Sequence, residues 1–276
     1  MPAARIAENL AYINWTVLVG LAVGAYAAAV VARLRTDATR GYLAFTAGCA
    51  TAFAVLAYLS DTALPATGPG SAVQADPAWD LPRRAALVVF IILAAAFSVA
   101  VARRHRAAAL GIAGLAAGGA VIAAAALGWS GGPVTAVPLL VQLLILAAAT
   151  GGVFAAMILG HWYLVTPKLP EAPLVLFSRL LLGIVAIQVA LFAVWVATGT
   201  GGGGPFSALS GPWALFVWLR LLVGLGFPLI VSWAAIQTAR SRSMESATGL
   251  LYINVGSIAA GTILAAGLYF GAGMLV

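Results

Sequence analysis

Apolar residues run through this chain in long unbroken stretches, without the alternation that marks a half-buried strand. Eight stretches stand out, at about 10–32, 42–60, 85–102, 107–127, 138–162, 174–197, 213–237 and 247–270. Each is near the roughly 20 residues that cross about 30 Å of hydrocarbon at 1.5 Å per residue. The pattern predicts an all-α polytopic membrane protein, one integral membrane domain over 1–276 built as a bundle of about eight transmembrane helices. The first stretch is longer than the 7–15 residues of a signal-peptide core and runs into Arg33 and Arg35 without a cleavage site, so it reads as a retained helix. Only Arg103, Arg104, His105 and Arg106 separate the third stretch from the fourth, which makes these two antiparallel neighbours.

Composition strengthens this reading: 63% of the residues are hydrophobic and 8% charged, against roughly 25% charged in soluble domains. The net charge of +7 would point a soluble protein toward nucleic acid, but here the basic residues sit in short connectors between apolar runs, so nucleic acid is not an expected partner and the lipid bilayer is. Arg33, Arg35, Arg40, Arg103, Arg104, Arg106, Lys168, Arg240 and Arg242 fall on one side, and only Arg5, Arg83 and Arg84 on the other. The positive-inside bias then predicts both termini on the non-cytoplasmic side of a multi-pass protein, most simply in a bacterial cytoplasmic (inner) membrane. The connectors at 61–82, 128–137 and 198–212 are rich in Pro and Gly and too short for a soluble catalytic domain. Small residues four apart, as at Gly20 and Gly24, Gly114 and Gly118, and Ser257 and Gly261, predict close helix packing on internal faces.

Several chemistries lose support by what the spans lack. All seven acids lie in connectors or at span ends, where a proton or sodium pump would place carboxylates within the membrane. Lys168, the one lysine, lies in a Pro-flanked connector, which disfavours a retinal-type Schiff base. Cys49 is the one cysteine, so no disulfide or zinc cluster is expected. His105 and His161 are the two histidines, and a bis-histidine haem would need both, so haem is disfavoured and no metal site is expected. No Gly-x-Ser-x-Gly or His-Glu-x-x-His motif occurs, which leaves catalytic residues unassigned and enzyme status open.

Four residues remain as ligand-binding candidates: His161, Tyr163, Arg220 and Asn254. Thr150, Phe154, Met157 and His161 share a helical stripe, so His161 and Tyr163 could donate hydrogen bonds to a quinone headgroup; the competing reading places them in the interfacial aromatic belt. Arg220 lies about seven residues inside its span, where an arginine costs about 2.5–3.5 kcal/mol and must face the bundle, a wet cavity or an anion. Pro228 follows it and predicts a kink with a freed backbone carbonyl, to which Arg220 could bond. Asn254 and Ser257 form a polar face suited to helix-to-helix hydrogen bonds or ligand contact, and Gln142, Gln188 and Thr150 read as packing groups.

Three functions follow as expectations. The first is a subunit or accessory protein of an electron-transfer system that binds a quinone-like ligand. The second is transport: a carrier or flippase for an anionic amphiphile, with Arg220 and Arg179 at different depths handling its phosphate or carboxylate and Pro228 as hinge. The third is a structural or assembly role in a membrane complex whose partner subunits supply the chemistry.

Overall fold

Long apolar runs satisfy their backbone polar groups inside the bilayer by forming helices, and a computed structural model of the chain contains α-helices, short 3-10 and π turns, and no strand among its described residues. The structure describes every residue except Pro69, Arg106, Pro167, Lys168 and 201–203. A short α1 (Pro2–Glu8) precedes α2 (Leu10–Arg35), α3 (Arg40–Thr62), α4 (Asp80–Ala102), α5 (Ala108–Trp129), α6 (Pro133–Val165) and α7 (Ala172–Thr198). The seventh span joins α8 (Ala214–Leu221) to α9 (Phe227–Arg240) through a π turn at Leu222–Gly226, and α10 (Met244–Ala272) is the eighth. Eight helices are long and apolar enough to cross a membrane, as expected of a polytopic helical membrane protein.

Several helices outrun the apolar stretches that announce them. The third starts at Asp80 with Pro82 in its first turn, where a missing N–H costs nothing, and α6 starts at Pro133 and carries Pro138 within it. The π turn in the seventh span is a more specific outcome than the kink expected at Pro228.

α2 and α6 form the centre of the bundle. Their membrane segments are 61% and 67% buried, against 28–50% for the other six. They meet at Gly24 and Gly151, where a Cβ on either residue would collide with the other helix's backbone. α5 and α3 border α2, α4 packs on both, and α10 closes against α6, α9 and α2. Eight crossings return the chain to its starting face, here termed the terminal face, where α1 packs on α10 and the Val276 amide donates to Gln142 Oε1 at 3.3 Å. The opposite, Arg-rich face carries Arg33, Arg35, Arg40, Arg103 and Arg104, all exposed.

Candidate functional site

Arg220 leaves α8 in its last turn and is only 3% exposed. The π turn and the proline together explain where its guanidinium goes. Phe227 donates its amide to the Leu222 carbonyl, five residues back, and Pro228 has no amide to give, so the Val223 and Gly224 carbonyls need other donors. Arg220 Nη1 donates to Gly224 O at 3.2 Å, and Ser257 Oγ donates to Val223 O from α10. Arg220 Nη2 donates to Gln188 Oε1 on α7 at 2.6 Å, and Gln188 Nε2 donates in turn to Ile145 O on α6 at 3.4 Å. Arg220 Nε is buried and has no partner. The guanidinium therefore sits among neutral acceptors, with no carboxylate paired to it among the described residues.

This arrangement depends on close backbone approach. A Cβ at Gly224 would lie 2.5 Å from Gly261 Cα, and one at Gly261 would lie 2.8 Å from Arg220 Nη1, so only glycine leaves room for the side chain between α8–α9 and α10. The polar seam continues along α10. Asn254 Nδ2 donates to Ser232 Oγ on α9 at 2.9 Å while its Oδ1 has no partner, and Thr262 shares a 2.8 Å hydrogen bond with Thr150 on α6. Arg220 and Asn254 thus belong to one interior seam.

His161 and Tyr163 lie elsewhere, at the Arg-rich end of α6. His161 is exposed. Tyr163 is buried and donates its hydroxyl to the Pro170 carbonyl, pinning the connector that follows the helix. A cleft of about 570 Å³ opens between Tyr163 and the α9–α10 turn, bordered by Arg242, Met244 and Glu245, and His161 does not line it. Trp162 packs beside Tyr42 and Phe45, with ring centroids 6.5 and 6.4 Å away. Of the stripe expected to lead to His161, Thr150 is buried and engaged with Thr262, while Phe154 stacks edge-on against Phe53.

A second buried charge cluster escaped the sequence reading. At the terminal face, Asp61 ends α3 fully buried, and Arg83 in α4 is 1% exposed. Arg83 Nε meets Asp61 Oδ2 at 2.6 Å, its Nη2 meets Asp80 at 2.9 Å, and Arg84 Nε meets Asp61 Oδ1 at 2.8 Å. The Arg83 guanidinium also lies over Trp129 and Trp15, 5.0 and 5.9 Å from the ring centroids. Opposite charges at facing ends of consecutive spans were the available signal for this pairing. Nothing comparable in the sequence singles out Gln188 as the partner of Arg220.

Between α2 and α7, over α6, runs an apolar groove of about 240 Å³. On α7 it is walled by Phe177, Leu181 and Ile184, and Gln188 follows one turn beyond on the same helical face.

No protein-family model matches the sequence, and no curated protein matches it. The fold defines the class, a polytopic helical membrane protein, and its interior holds the Arg220 guanidinium without a countercharge among the described residues.

Proposed function

We propose that the protein is a carrier, of flippase type, for an anionic amphiphile. The observation that supports this best is Arg220, buried at membrane depth among neutral partners with one donor unsatisfied. Such a cation is costly to bury, and an anionic group would complete its hydrogen bonds with a charge-assisted pair. The π turn at Leu222–Gly226 adds a second support, because π segments interrupt the regular ladder and often accompany function. The apolar groove that approaches Gln188 offers a path for a hydrocarbon tail. In this reading the protein sits in a bacterial cytoplasmic membrane with both termini outside, as the distribution of arginines favours.

The electron-transfer reading has less to draw on. It rests on His161 and Tyr163, and the first is exposed while the second gives its hydroxyl to a backbone carbonyl. An assembly role for partner subunits gains no particular residue.

Proteoliposomes containing phosphatidylglycerol labelled on its acyl chain test the proposal through the rate at which the label exchanges between leaflets. Arg220→Gln should slow exchange about tenfold or more, the equivalent of about 1.4 kcal/mol or more, with the elution profile of the folded protein retained. Exchange equal in wild type, Arg220→Gln and protein-free vesicles would overturn it.

A further inference from the structure

The groove between α2 and α7 has an apolar lining, and an exposed arginine lies one turn beyond it on α2. On α2 the groove-lining Gly24, Ala28 and Val31 continue at helical spacing to Arg35, the last residue of the helix. Phe177, Leu181 and Ile184 repeat the same spacing on antiparallel α7 and continue to Gln188 at the deep end. Eleven residues of rise, from Phe177 to Gln188, make about 16 Å, close to half of the ~30 Å hydrocarbon thickness. The lining itself, Phe177 to Ile184, covers about 10 Å of this depth, with Gln188 one turn beyond its deep end and Arg35 one turn beyond its outer end.

We infer that this groove holds an acyl chain of an anionic phospholipid from the leaflet at the Arg-rich face, with Arg35 on its phosphate. The inference rests on the carrier reading for its functional meaning and names the substrate class. Charge complementarity selects the occupant. Arg33, Arg35 and Arg40 are exposed and, like Asp37, form no ion pair with any of the described residues. Such a cluster at the headgroup level attracts anionic lipid, while the apolar groove walls suit hydrocarbon. The open side of the groove faces the bilayer: Leu180 at its edge is 41% exposed. A lipid could thus enter sideways, with its tail directed toward the Gln188–Arg220 pair.

Gly152 provides the test, because it lines the groove and a Cβ there meets no atom within 4 Å. Gly152→Phe should fill the groove while leaving the helix contacts intact. Gly119→Phe, at an equally open glycine on α5, serves as control. The full-length protein is reconstituted in phosphatidylcholine vesicles doped with phosphatidylglycerol that carries a photoactivatable diazirine in its acyl chain, and adducts are mapped by mass spectrometry. Adducts should concentrate on the groove residues of α2 and α7, fall several-fold in Gly152→Phe but not in Gly119→Phe, and lose their preference over a phosphatidylcholine probe in Arg35→Gln. Labelling that is uniform over the bundle, indifferent to headgroup, unchanged by Gly152→Phe, or lost equally in the control would overturn the inference. Leaflet exchange measured on the same samples separates the two ideas. Groove labelling that responds as expected while Arg220→Gln leaves exchange untouched keeps the lipid site and removes the carrier, and the reverse pattern removes the groove alone.

Discussion

Two arginines are taken out of water in this protein, and they reach opposite solutions. Arg83 is met by Asp61 and Asp80 and covered by Trp15 and Trp129. Arg220 is met by an amide oxygen and a carbonyl released by a π turn. The first is a self-contained structural unit, since each charge has its opposite. Breaking it leaves a buried charge unpaired, so Asp61→Asn should lower stability by about 3–5 kcal/mol, read from thermal unfolding in detergent. Arg84→Gln removes the more exposed arm of the cluster and should cost no more than about 1 kcal/mol in the same measurement. Each guanidinium keeps one buried nitrogen without a partner, Nη1 of Arg83 and Nε of Arg220, but Arg83 is met by two carboxylates and Arg220 by neutral acceptors alone, which is why the site hypothesis attaches to Arg220.

At the scale of the element, the seventh span is where ordinary helix geometry gives way. Pro228 removes a donor, the ladder shifts to a π turn, and the two spare carbonyls become the acceptors that position Arg220 and Ser257. Pro228→Ala restores the amide and the incentive for a regular helix. The variant should unfold at higher temperature, with a gain of up to about 3 kcal/mol, and should exchange lipid more slowly because Arg220 loses its carbonyl. A stable variant with undiminished exchange would uncouple the π turn from transport. The glycine contact next to it is equally specific. Gly261→Ala forces a methyl against Gly224 and Arg220 Nη1, an overpacking that should cost about 1–3 kcal/mol in the same thermal measurement.

At the scale of the whole molecule, eight crossings put both termini on one face and the arginine-rich connectors on the other. The membrane orientation follows from which leaflet faces those arginines. With Cys49 replaced by alanine, a cysteine at Ala4 should react with a membrane-impermeant maleimide in intact cells, and one at His105 should react only after permeabilisation. The opposite labelling would reverse the orientation and with it the leaflet from which the groove is filled. The same bundle carries two different ends: a terminal face with a linked set of aromatic rings, Tyr12, Trp15, Trp129 and Phe270, beside Arg83, and an Arg-rich face with the 570 Å³ cleft beside Tyr163.

Class, span number and helical content were legible in the chain because they depend on one-dimensional quantities: run length, mean hydropathy and the scarcity of charge in the runs. Arg220 was also visible as an anomaly, since a lone cation inside an apolar run stands out whatever its surroundings, and Pro228 announced a local irregularity. The partners were not legible. Gln188 lies 32 residues from Arg220, and Asp61 lies 22 from Arg83, separations that become contacts only through helix rotation and tilt. Two exposures went the same way: His161 and Tyr163, two residues apart on α6, point into different environments because 200° of helix rotation separates them. Side-chain direction around a helix is settled by which neighbour packs where, through pairs such as Gly24 with Gly151 and Gly224 with Gly261, and that information exists only once the helices are assembled.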